Sequence, residues 1–369
     1  PIRSVPVSQM THRERLLAAL AGDDVDRLPW SPFLAYVWGS FPKAIIDAGM
    51  DAFYKTIGAD PLHRGGCCPV QEIYPEEVTV EVIDDDQSYT RIYTTPVGSL
   101  SERYEKSAIG ETAFIVGHPL KTEDDYKVFC WIEEHKTYRY QAEAVEHYLA
   151  TTEDSVTMAM LLPRGKSAFQ KLVEDHVGTE ELIYALADFP DTVETLWQLM
   201  RKNNRLAAEL AVQAPFEHWI TWEDSSTANY SPAMYDQYIG SEIGDWCTLL
   251  RDNGGKKYHQ HACGSLAAIL PAMKAHGVAG VESLSPPPTG NITLADARQA
   301  VGPEICITGG IEPTEFLNLT LEQLDPYVEQ VIADGLPGAF VLANSDSCPP
   351  GVTVEKFQLV GEIVRRTRP

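Results

Sequence analysis

Residues 256–263 read KKYHQHAC, and the reading of this stretch decides the fold. It is a short run set between two helical stretches, residues 232–253 and 265–276. Five similar runs recur: SVTMAMLL (155–162), HWITWED (218–224), VAGVESLS (278–285), EICITGGI (304–311) and GAFVLANS (338–345). Further helical stretches over 122–149, 180–213 and 321–334 separate them. Strands alternating with helices of ten or more residues build βαβ units and a parallel sheet. With one more run near residue 30 and another around residue 60, the count approaches the eight of a TIM barrel. The expected fold class is α/β, a TIM (β/α)8 barrel forming a single catalytic domain over residues 1–369.

Two segments refine this expectation. Thr11 followed by Glu14 is a capping box that starts a helix running to Leu20. VTVEVID, SYTRIYTT and GSLSERYE alternate polar and apolar residues between turns, which predicts an antiparallel β meander inserted over residues 78–105. No linker sets it apart as a separate domain.

Composition narrows the function classes. The 369 residues are 44% hydrophobic and 22% charged, so a substantial core can form without disulfides. The balance of 29 basic against 53 acidic residues gives a net charge of −24, which argues against nucleic acid or an anionic membrane surface as partner. No apolar run approaches the roughly 20 residues of a membrane span, and residues 1–20 lack the apolar core of a signal peptide. A cytoplasmic enzyme is expected. Seven irregularly spaced cysteines do not suggest a disulfide framework. Cys130, Cys247 and Cys306 read as core, while Cys67 and Cys68 fall in a loop after two glycines.

In a barrel, functional residues gather at the C-terminal ends of strands. Glu223, Asp224, His261, Cys263, Glu282, Gly309, Gly310 and Cys348 all fall there. Alternation along a strand gives His259, His261 and Cys263 one side. Successive members lie roughly 7 Å apart, so the last two can share an ion at a curling strand end, with His259 a layer below. A third soft ligand has to come from another strand end, and Cys348 in NSDSCPPG is well placed. One imidazole and two thiolates form a zinc-type set with an open fourth position. The alternative is a core histidine beside a core cysteine. Glu282 is either an occupant of the open position or an ordinary strand-end carboxylate. Glu223 and Asp224 either orient substrate and a histidine or cap a helix. Tyr36, Trp38, Trp222 and Tyr230, with Phe33, would suit a flat aromatic substrate, although aromatics also serve as core. Arg164-Gly-Lys-Ser167 ends like a phosphate-binding loop but lacks the upstream glycine, and reads as a strand-to-helix turn.

Several stretches together resemble the uroporphyrinogen decarboxylase superfamily, and within it the zinc-dependent, corrinoid-linked methyltransferases. They are THRERLLAALAGDDVDRLPW (11–30), EDSSTANYSPAMYDQYI (223–239), HACG (261–264), VGPEICITGGIEP (301–313) and SCPPG (347–351). The methyltransferase branch is marked by a His-x-Cys pair and a distant second cysteine, here His261, Cys263 and Cys348. The resemblance implies a TIM barrel and a Zn2+ cofactor. It also implies methyl exchange between a small donor, such as a methoxylated aromatic, and the cobalt of a corrinoid (cobalamin) on a partner protein. This chain has no Asp-x-His-x-x-Gly cobalamin motif of its own. The alternatives are transfer from the corrinoid to a thiol of the coenzyme M type, a decarboxylase-like activity, and a non-catalytic zinc-binding barrel. Two departures bear on the branch. Gly309-Gly310 stands where the family commonly has Gly-Asn. SPFLAYVWGSFPKA (31–44) lacks the arginines a porphyrinogen enzyme needs for substrate carboxylates.

Overall fold

The computed structural model describes residues 9–107 and 112–367; of the opening stretch read above, residues 1–8 lie outside them. Its early strands are β1 (Leu62–Arg64), β2 (Val70–Ile73), β3 (Thr79–Asp84), β4 (Ser88–Thr95), β5 (Gly98–Lys106), β6 (Ala113–Gly117) and β7 (Thr137–Tyr140). Then follow β8 (Val156–Met160), β9 (His218–Trp222), β10 (Lys257–His261), β11 (Gly280–Leu284), β12 (Cys306–Ile311) and β13 (Phe340–Asn344). Seven form one parallel sheet in the order β1-β8-β9-β10-β11-β12-β13.

Residues 29–31 link its two edges. Leu342 N donates to Pro29 O and Ser31 N to Leu342 O, making a parallel bridge at Trp30, while Asp60 N donates to Trp30 O just ahead of β1. Pro29 and Pro32 lack N–H donors, so this eighth position is reduced to a single bridge. The architecture is thus the expected α/β fold of TIM-barrel type. Helix His12–Ala21, started by the Thr11–Glu14 capping box, closes one end. Its Leu16, Ala19 and Leu20 pack among interior residues Leu62, Met158, Ile220, Cys306 and Val341. Burial of about 1.5–3 kcal/mol per large apolar side chain holds this plug in place.

The early antiparallel meander is present as the sheet β3-β4-β5-β6. It runs one strand beyond residue 105, because AFIVG (113–117) pairs with β5. The helical stretches also need correction. Residues 122–149 divide into helices Glu123–His135 and Ala142–Ala150, with β7 between them. The alternating TYRY of β7 finds an antiparallel partner in β2, so pairing overrides the helical reading. Pro190 splits 180–213 into Thr179–Asp188 and Pro190–Ala211. Residues 232–253 contain a π-helical segment at Tyr235–Gly240, and 265–276 is helical only over Leu270–Ala275. Cys247 and Cys306 are buried as core, and Cys130 packs half-buried against it. No helix among the described residues is long and apolar enough to cross a membrane.

Candidate metal centre

Strands β9, β10 and β11 lie side by side, and their register sets Trp222 and Glu282 level with His261. Partners in register on a parallel sheet face the same side, so three chemically distinct side chains meet at the C-terminal ends. His261 Nδ1 lies 2.5 Å from Glu282 Oε2, and its Nε2 lies 3.2 Å from Asp224 Oδ1. Asp224 follows β9 at φ 45°, a left-handed conformation uncommon for a residue with a side chain. Two residues beyond His261, Cys263 Sγ donates to Asp224 Oδ1 at 3.8 Å. Ligand atoms of Asp224, His261 and Cys263 all lie within 4.8 Å of one another.

The surroundings fix this group from three sides. Glu282 Oε1 pairs with Arg64 Nε at 2.7 Å, and both side chains are buried. Arg64 also donates to Ser31 O at 2.9 Å and lies over the Phe33 ring. Phe33 stacks on Trp222 with centroids 5.8 Å apart, and both rings meet His261 edge-on. On the remaining side, Lys166 Nζ reaches Asp224 Oδ2 at 2.5 Å.

Charge within the group is finely set. Burial works against a proton on His261, but Glu282 and Asp224 outweigh it and raise its pKa well above the usual value. Burial pushes Asp224 up, while His261 and Lys166 hold it below the usual carboxylate range. Burial raises the Cys263 thiol, with His261 opposing. Carboxylates on both sides of the imidazole mark a place built to receive positive charge. Nitrogen, oxygen and sulfur donors around that place fit a zinc ion with an open position. Glu282 behind the imidazole has the position of the carboxylate that orients a metal-bound histidine.

His259 lies below, its Nε2 2.8 Å from His218 Nδ1. A Cβ at Gly280 would stand 2.3 Å from His259 Nδ1, so glycine is required there. Burial drives the His259 pKa well below the usual value. Glu223 turns away from His261; it accepts from Ser167 N at 2.8 Å, Ser167 Oγ at 2.7 Å and Thr221 Oγ1 at 2.8 Å. Burial raises this carboxyl to about 7. Trp222 stands in the site. Tyr36 is 60% exposed, its N–H donating to Ser347 Oγ. Trp38 is instead spent on packing against Phe41 and Phe53, and Tyr230 is buried with its hydroxyl donating to Gln170. Cys348, fully buried, is not brought into the 4.8 Å group. Cys67 and Cys68 are outside it too; Cys68 Sγ donates to Val70 O.

Sequence reasoning missed Arg64 and Lys166. Arg64 ends a strand of three residues, too short to display a period. Lys166 lay in the turn set aside for failing a phosphate-loop pattern, although its position after a barrel strand was the available signal.

A barrel with nitrogen, oxygen and sulfur donors gathered at its C-terminal mouth is the class these features define. The family model described as Uroporphyrinogen decarboxylase (URO-D) matches residues 110–367, well over half the chain, and the chain belongs to that family. No curated protein matches it. Among solved structures it is similar to a methyltransferase from Methanosarcina mazei, at 14% identity and a TM-score of 0.62, covering 96% of this chain and 98% of that one. A B12-independent methionine synthase from Shewanella sp. W3-18-1, in complex with selenomethionine, also aligns, at 10% identity and a TM-score of 0.47, over 92% and 98% of the two chains. At these identities the first likeness speaks to the fold.

Proposed function

We propose that this chain is a zinc-dependent methyltransferase that moves a methyl group between a small donor and the cobalt of a corrinoid carried by a separate protein. The observation that carries the proposal is the convergence of Asp224, His261 and Cys263, with Glu282 behind the imidazole. Zinc bound there would supply Lewis acidity, easing departure of an ether or alcohol oxygen as methyl leaves it. The chain's own residues do the rest. Glu282, paired to Arg64, accepts the Nδ1 proton of His261 and so leaves Nε2 as the ligand atom. Asp224 and Cys263 bring the oxygen and sulfur donors. The stacked Phe33 and Trp222 rings offer an apolar wall against which a flat methoxylated aromatic would lie.

Cys348 enters the proposal as a further ligand, on the loop after β13. Burial and Asp346 hold its thiol well above the ordinary range, so that proton must leave on binding. Partner docking is proposed over the strand C-termini, where the methyl carbon would meet cobalt.

The test is a single-turnover assay with reduced cobalamin and a panel of methoxylated aromatics, followed by absorbance. Zinc-loaded protein is expected to form methylcobalamin with at least one donor, and His261→Ala is expected to form none. Methyl transfer indifferent to metal removal and to His261→Ala would sink the proposal.

A further inference from the structure

The turn Arg164–Ser167 has no part in the proposal so far, yet the fold invests heavily in it. Gly165 sits at φ 63°, and a Cβ there would lie 2.9 Å from Met160 Sδ and 3.0 Å from Trp222 Cδ1. Its carbonyl accepts from Trp222 N at 2.5 Å. The turn is thereby fastened to the end of β9, the strand that delivers Asp224. Lys166 comes next, its side chain only 12% exposed. Its Nζ donates to Trp222 O at 2.6 Å and lies 2.6 Å from Glu174 Oε2 and 2.5 Å from Asp224 Oδ2. Three acceptors use the three donors of an ammonium. Glu174 stands on the π-helical segment Leu172–His176, and Gln170 donates to its other oxygen.

The two oxygens of Asp224 therefore have separate duties. Oδ1 faces His261 Nε2 and Cys263, while Oδ2 is held by Lys166, its one partner among the described residues. We infer that Lys166 is a positioning residue for the metal: it ties down one oxygen of Asp224 so that the other is presented, singly and in place, to the ion. This rests on the zinc reading of the site.

Two effects of removing Lys166 oppose each other. By Coulomb's law alone, deleting a cation beside a ligand would tighten metal binding. Glu174 on the far side of the ammonium offsets much of that term. Against it, Asp224 sits at positive φ on a loop with its side chain 37% exposed, and loses the anchor that fixes its rotamer. Loss of a group that orients a ligand typically costs about 10–100-fold in affinity. Positioning wins, so the sign of the effect is diagnostic.

The experiment measures zinc dissociation constants by chelator competition, with circular dichroism to check the fold. Lys166→Met is expected to bind zinc about tenfold or more weakly, and Lys166→Arg to keep most of the affinity. In an Asp224→Ala background, Lys166→Met should cost nothing further. Lys166→Met binding as tightly as wild type or tighter, or losing the same factor without Asp224, would overturn the inference. If Lys166→Met does not fold, Lys166→Leu takes its place: weaker zinc binding supports the inference, and unchanged or tighter binding overturns it. A wild-type protein that takes up no zinc would defeat the metal reading itself, a separate outcome.

Discussion

The two ends of the barrel each set a carboxylate beside a cation and a histidine, with opposite results. At the closed end, Asp60 is fully buried and accepts from His12, Arg15 and Arg27, each at 2.7 Å, and from Trp30 N at 3.2 Å. Its oxygens are consumed by the protein. At the open end, Asp224 commits one oxygen to Lys166 and turns the other toward an imidazole and a thiol. One cluster is a closed account of charge that fastens the N-terminal helix to β1. The other leaves donors pointing at a common place. Asp60 is fully buried and the Asp224 side chain is 37% exposed; what differs as well is whether donors converge on one another or on a space between them.

The sharpest way to break this comparison is Asp60→Ala. It takes the carboxylate away from Arg27 and leaves Arg15 to Asp26, and a broken buried ion pair costs about 3–5 kcal/mol. Denaturant titration should show that loss, while the zinc affinity of the folded fraction stays put. A change under about 1 kcal/mol would mean that the closed end is not structural. Next comes Glu282→Gln, which keeps the shape of the side chain but weakens its hold on His261. Zinc affinity should fall about 10–100-fold by chelator competition, and an unchanged value would remove Glu282 from the site.

Acid gives a gentler test. Burial pushes the Asp60 carboxyl up, but His12, Arg27 and Arg15 hold it below the usual range. Burial likewise opposes Lys136 and Arg164 at Glu72, which ends at about 2. For both carboxylates the folded pKa lies below the unfolded one, so their stabilisation is complete above the ordinary carboxylate range. It is lost as pH falls from there toward about 2. Thermal melts of metal-free protein should show that decline; a midpoint flat across the window would contradict the ion-pair account. The smallest effect is expected from Tyr36→Ala. Exposed, with its backbone N–H held by Ser347 Oγ, Tyr36 should leave stability within about 0.5 kcal/mol and zinc affinity unchanged. A large loss in either would give that ring a role in the site.

How far the chain could be read follows from the range of each signal. Alternation along KKYHQHAC is local, and so are the capping box at Thr11 and the recurring strand runs, so the barrel and the His261–Cys263 pair were legible. Asp224 was visible as a strand-end carboxylate, but its left-handed turn toward His261 is set by packing. Trp38 and Trp222 look alike in sequence; only tertiary contacts send one to the Phe41–Phe53 cluster and the other to His261. Arg64 and Lys166 act across strands through partners 218 and 58 positions away, Glu282 and Asp224, a separation no local pattern encodes. The β7 strand was hidden for the same reason, since its partner β2 lies far upstream.

The measurement that bears most directly on the central claim is elemental analysis of purified wild type beside Cys263→Ala, Asp224→Ala and Cys348→Ala, with the fold checked in each. The account predicts about one zinc per chain in wild type, lost in Cys263→Ala and Asp224→Ala while the barrel persists. The Cys348 variant reports whether its loop adds a ligand. No zinc in wild type, or zinc indifferent to both Cys263 and Asp224, would contradict it.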